Sequence, residues 1–205
     1  MTAGRRSRVW ARLGLGLACA APALLLGADA LLGRLGANPI ERVMNRLGFW
    51  TLTMLLVSLT PTALEIVTGW GGLLRYRRMM GLFTFFYAFL HFSTYLVLDQ
   101  FFDFAAIFED VAKRKFITVG FAAFLLLVPL ALTSTNGWVR RLGFVRWKRL
   151  HRLAYVAAVC GVVHFVWRVK ADLLRPYIFA AVLAVLLGVR VYAAMRRSPA
   201  AGSAD

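Results

Sequence analysis

Apolar runs long enough to cross a lipid bilayer recur six times along this chain of 205 residues. They cover roughly residues 9–32, 47–67, 79–98, 116–132, 151–168 and 177–194. A spanning helix needs about 20 mostly apolar residues, and inside lipid the backbone must satisfy its own hydrogen bonds. Runs of this length, so closely spaced, leave no room for a separate soluble domain. Hydrophobic residues make up 60% of the chain, against about 45–50% in soluble proteins. The expected fold is an all-α integral membrane protein, a six-helix transmembrane bundle forming one domain over 1–205. Residues 195–205 read as a polar, disordered tail.

The net charge is +16. A charge of that size often marks a nucleic-acid binder, but here the basic residues sit in short clusters between apolar runs. That placement fits loops held against a cytoplasmic membrane face and argues against nucleic acid. With the N-terminus inside, 16 of the Lys and Arg residues fall on the inner side and 9 on the outer. Both termini are therefore expected in the cytoplasm of a multi-pass inner-membrane protein. Most acidic loop residues, such as Asp99, Asp103, Glu109 and Asp110, then face outward, and 99–115 reads as a short interfacial helix. The N-terminal MTAGRRSR followed by an apolar run resembles a signal peptide, although the length of that run favours an uncleaved first span. The two cysteines form no CxxC or CxxCH pattern, which excludes thioredoxin-like chemistry and covalent c-type haem attachment.

The three histidines carry the chemistry. His91 lies in the third run and His164 in the fifth, each about a dozen residues in. These two runs cross the membrane in the same direction, so the two imidazoles share one depth, toward the outer side. Titratable groups at that depth are costly and point to function, and imidazole is a common axial ligand of haem iron. A hydrogen-bonded core histidine is the plainer alternative for either one alone. His151 precedes His164 by 13 residues, about 20 Å along a helix, and its level partners on the third span are Arg77 and Arg78. Arginine stays protonated and suits a propionate or phosphate rather than iron. On a straight helix His151 and His164 would also point some 140° apart, which calls for a bend near His151 or a ligand that meets it obliquely. The dense aromatics of the third run, from Phe83 to Tyr95, read either as packing surface or as a wall for a planar ligand. No HExxH, GxSxG, P-loop or GxGxxG pattern offers another chemistry.

Three segments, NPIERVMNRLGFW, YRRMMGLFTFFYAFLHFSTYLVLD and LALTSTNGWVRRLGFVRWKRLHRLAYVAAVCGVVHFVWRVK, resemble the MsrQ family, formerly YedZ. It is a group of haem-binding membrane subunits within the ferric-reductase-like transmembrane proteins. The likeness runs from about Asn38 to Tyr192. It implies haem b between helices three and five, with His91, His164 and His151 as metal ligands and Arg77 and Arg78 beside the cofactor. Related ferric reductases carry two histidine pairs; three of those four positions are histidine here, which leaves a second haem open. The resemblance also implies FMN, electrons from the quinone pool or a flavin source, and a periplasmic molybdopterin partner, MsrP, that reduces methionine sulfoxide in oxidised periplasmic proteins. The chain would then be an electron-transfer subunit rather than the catalytic one. Two other readings compete, a stand-alone ferric-reductase-like protein and a small proton-coupled transporter. The first normally needs flavin and nicotinamide modules, and the second would more often show paired broken helices.

Overall fold

The computed structural model describes residues 3–197, and all its regular structure is helical. Nine α-helices follow one another: α1 Ala3–Leu31, α2 Pro39–Thr68, α3 Arg77–Thr94, α4 Phe104–Lys113, α5 Lys115–Leu132, α6 Asn136–Leu142, α7 Phe144–Leu150, α8 Leu153–Arg168 and α9 Leu174–Arg197. Six helical stretches are long and apolar enough to span a bilayer, as the all-α bundle requires. Residues 198–205 of the expected tail lie outside the described residues, and Met195–Arg197 belong to α9.

Local chemistry explains the helix ends. α2 starts at Pro39, not near 47, because Asn38 caps it. The Asn38 side chain accepts from the Glu41 N–H at 3.3 Å and donates to the Glu41 carboxylate at 3.0 Å. Proline at the first helical position loses no hydrogen bond. α2 stops at Gly69, whose φ of 74° is the left-handed conformation glycine adopts without strain. A π-helical turn, Tyr95–Asp99, extends α3. Phe101 and Phe102 follow with φ of 48° and 60°, and Asp103 then caps α4 by accepting from Ala106 N–H. α7 ends at Leu150, and His151 and Arg152 form a turn before α8 begins. The bend that the azimuths of His151 and His164 allow for therefore lies at His151 itself.

Packing is organised in two antiparallel pairs. α2 lies most closely on α3, and α5 on α8. The main core joins Leu55, Leu56 and Leu59 of α2 to Ala157 and Ala158 of α8 and Leu183 of α9. The two alanines are fully buried; such small residues let helix backbones approach within lipid, where packing rather than the hydrophobic effect drives association. Leucines and valines on the outer faces of α1, α5 and α9 are exposed, as a lipid-facing surface demands. Arg190 of α9 does not extend toward the interface as a snorkelling cation would. Its guanidinium turns inward, donates to the carbonyls of Leu186 and Leu59, and lies 5.4 Å from the Tyr155 ring centre.

α1 packs through Leu15, Cys19 and Leu26 and is also bridged by a hydroxyl of α3. Pro22 interrupts its hydrogen-bond ladder. One residue on, the Ala23 N–H and Cys19 carbonyl would bond each other in a regular helix. There the Tyr87 hydroxyl of α3 accepts from Ala23 N–H at 3.1 Å and donates to the Cys19 carbonyl at 2.7 Å. Tyr87 has no exposed surface. Tyr87→Phe should cost about 1–3 kcal/mol, the penalty for leaving buried polar groups without partners. Thermal unfolding in detergent measures it, and an unchanged midpoint would show that the bridge contributes nothing.

Candidate functional site

His91 and His164 meet at the end of the bundle that carries the acidic loops. His91 stands one turn before the end of α3, and His164 one turn before the end of α8. Their ring centres are 6.3 Å apart with planes at 80°. Each ring is tied to the other helix of its own pair. His91 Nδ1 is 2.9 Å from the Met44 carbonyl of α2, and His164 Nδ1 is 2.7 Å from the Phe116 carbonyl of α5. A carbonyl can only accept, so both Nδ1 atoms carry the proton and donate. Both Nε2 atoms are then unprotonated, with lone pairs available. This is the usual way a protein fixes the tautomer of a metal-binding histidine.

The distance fits two ligands on one metal. Imidazoles on opposite faces of an ion, with metal–nitrogen bonds of about 2 Å and about 1.2 Å from nitrogen to ring centre, have centres about 6.4 Å apart. An edge-to-face contact falls in the same range, but it does not require both Nδ1 atoms to be tied back. Among the described residues no cluster of three or more His, Cys, Asp or Glu exists. Two nitrogens cannot complete the four-coordinate shell of a structural zinc. They do suit a metal whose remaining ligands arrive with a macrocycle, as in bis-histidine haem. One turn beyond His164, the Arg168 guanidinium lies 3.9 Å from the Glu41 carboxylate, placing a paired cation at the rim.

His151 belongs to a different place, at the basic end of the bundle. It borders a cavity of about 470 Å³ also lined by Arg77, Arg78, Lys148, Arg152 and Trp147. Among the described residues lining it, none is acidic. His151 Nδ1 donates to the Trp147 carbonyl at 3.1 Å, and the Trp147 ring lies 3.9 Å from the imidazole centre. The Ser134 hydroxyl is 3.5 Å from His151 Nε2, but its hydrogen goes to the Leu130 carbonyl at 2.7 Å. The two arginines differ. Arg78 donates to the Ser134 carbonyl and to the Asn136 side chain, closing the turn between α5 and α6. Arg77 makes one bond, 3.3 Å, to the Thr62 hydroxyl. The cavity thus offers an anion several cations, with Arg77 less committed than Arg78.

Sequence reasoning missed the groups that orient the rings: the carbonyls of Met44 and Phe116, and Trp147 against His151. Backbone carbonyls carry no sequence signal, but Trp147 stands one helical turn before His151 and was legible from that spacing. Arg78→Ala should lower stability by about 1–3 kcal/mol through loss of its two bonds, whereas Arg77→Ala should leave the unfolding midpoint nearly unchanged. Equal effects in thermal unfolding would contradict this division of labour.

Comparison with known proteins supplies the remaining observations. The family model described as ferric reductase like transmembrane component matches residues 46–162. The protein-methionine-sulfoxide reductase heme-binding subunit MsrQ of Rhodospirillum rubrum is 55% identical over 186 residues, 91% of this chain and 89% of its own length. The subunit of the same description from Herminiimonas arsenicoxydans is 52% identical over 174 residues, 84% of this chain and 80% of its own. That of Ralstonia nicotianae is 50% identical over 183 residues, 88% and 84% of the two chains.

Proposed function

Because this chain belongs to the MsrQ family, within the ferric-reductase-like transmembrane components, we propose that it is a membrane b-type cytochrome serving methionine-sulfoxide reduction. The observation that carries this reading is the His91–His164 pair, 6.3 Å between ring centres, with both Nδ1 atoms bonded to carbonyls. The printed names of the relatives, heme-binding subunits, support it. Haem, when bound, supplies a one-electron redox couple. The chain supplies the rest. His91 and His164 donate their Nε2 lone pairs. Met44 and Phe116 hold the ring orientations. The surrounding helices exclude water and provide a low dielectric.

The electrons come, in this reading, from the quinone pool or a flavin source, and go to MsrP, a periplasmic molybdopterin enzyme that repairs oxidised proteins. Both termini lie in the cytoplasm of a bacterial inner membrane, the orientation favoured by the uneven distribution of Lys and Arg. The His91–His164 pair then lies in the outer half, on the side of the recipient. The basic cavity lies at the other end and takes a second, anionic cofactor. Its cations, the absence of an acid among its described lining residues and the imidazole of His151 suit a second haem, with Arg77 toward a propionate. A flavin phosphate from FMN would seek the same basic residues.

A reduced-minus-oxidised spectrum with a haem-to-protein ratio tests the proposal. His91→Ala and His164→Ala should each abolish the main haem, and His151→Ala should remove only part of the total. Equal haem content in all three variants and the parent would sink the pairing, and a colourless preparation made with ample haem would sink the cytochrome reading.

A further inference from the structure

Glycine is disfavoured inside helices because it gives up the most backbone freedom on folding, so a helical glycine invites a reason. Most of those in this bundle have none in their surroundings. A Cβ built on Gly14, Gly16, Gly27, Gly81 or Gly188 meets nothing within 4 Å. Three sit in tight contact: a Cβ on Gly161 would meet Leu52 Cδ1 at 3.2 Å, whereas Gly48 and Gly120 each face a histidine. A Cβ on Gly48 would stand 3.1 Å from His91 Cε1 and 3.3 Å from Nδ1. A Cβ on Gly120 would stand 2.5 Å from His164 Nδ1 and 2.8 Å from Cε1. Favourable contacts between heavy atoms are about 3.5–4.0 Å. Neither glycine adopts a positive φ, so the requirement comes from space and not from backbone conformation.

The two places repeat one arrangement on helices of unrelated sequence. Gly48 follows Met44 by four residues on α2, and Gly120 follows Phe116 by four on α5. Four residues is one helical turn. In each case the imidazole bonds the carbonyl through Nδ1 and packs against the glycine one turn on. We infer that Gly48 and Gly120 are positioning residues for axial ligation: each opens a socket, admitting no Cβ, that seats one imidazole against its carbonyl. The inference rests on the haem reading and goes beyond it. The two sockets also differ in tightness. At Gly48 a neighbour could yield by a few tenths of an ångström, whereas at Gly120 the His164 ring would have to leave its carbonyl.

The test uses the full chain expressed with ample haem, as Gly48→Ala, Gly120→Ala and, for control, Gly188→Ala. Alanine favours the helix at all three sites, so a purely structural role predicts no spectral change. Circular dichroism and elution volume establish folding. Electron paramagnetic resonance of the oxidised protein and carbon monoxide binding to the reduced protein report axial ligation. Gly120→Ala should lose most of the six-coordinate low-spin signal and bind carbon monoxide. Gly48→Ala should keep both ligands with a shifted signal, and Gly188→Ala should match the parent. If Gly120→Ala is indistinguishable from Gly188→Ala in both spectra, the sockets are refuted. Should Gly120→Ala not accumulate, Gly48→Ala decides, and a signal identical to that of Gly188→Ala refutes the inference. The outcomes separate the two levels: loss of haem in His91→Ala and His164→Ala with unaltered glycine variants overturns the sockets alone, whereas normal haem in His164→Ala overturns the underlying reading.

Discussion

A ligating imidazole inside a membrane must satisfy two demands. One ring nitrogen needs a hydrogen-bond partner, because an unpaired donor there is expensive. The other must stay unprotonated and free. Here both demands are met by a backbone carbonyl from a neighbouring helix, Met44 for His91 and Phe116 for His164. These bonds run between α3 and α2, and between α8 and α5, the two pairs of helices that lie most closely together. Each pair thus forms a unit that carries one oriented histidine, and the site arises where the units meet. Orientation is built into helix pairing, so anything that changes the spacing within a pair is felt at the ring.

The opposite end continues the same registers, with α7 and the turn at His151 added, and different chemistry. Fourteen residues is nearly four helical turns, so positions that far apart return to about the same face. Counting 14 residues along α2 from Met44 and Gly48 reaches Ser58 and Thr62; from Phe116 and Gly120 it reaches Leu130 of α5 and Ser134, just past its end. Counting back 14 residues from His91 reaches Arg77, and 13 from His164 reaches His151. The contacts follow the same registers. Arg77 reaches Thr62, and His151 lies beside Ser134. Hydroxyls replace the glycines and an arginine replaces one histidine. What remains is one imidazole in a cavity of cations, suited to a charged ligand held mainly by its anionic groups.

Much of this architecture was legible in the residues. The apolar runs announce a membrane bundle, and two histidines at equal depth in runs crossing the same way announce a shared site. Asn-Pro-Ile-Glu over 38–41 is a capping signature that marks the start of α2, but the apolar run alone, 47–67, does not reach it. Other features were hidden for physical reasons. The inward turn of Arg190 depends on the Leu59 carbonyl of another helix. Arg78 looked equivalent to Arg77 until the turn at Ser134 and Asn136 claimed it. Gly48 and Gly120 look like any other helical glycine, because what makes them different is the ring that faces them across a helix interface.

The charge distribution ties the two ends together. Deep in a bilayer a lone charge is disfavoured, and the chain places more of its cations toward one face than the other. At the acidic end, Arg168 is matched by Glu41, and each histidine there donates its Nδ1 proton to a carbonyl. At the basic end, Arg77, Lys148 and Arg152 face a cavity without a lining carboxylate, an arrangement stable only with water or an anion to share the charge. A bundle carrying the same pattern twice would place two similar sites in series. Exchanging glycine for hydroxyl and histidine for arginine at one end makes the sites unequal instead. The pair of imidazoles favours a metal held tightly on its axis, and the cationic cavity favours a ligand recognised by its negative charge.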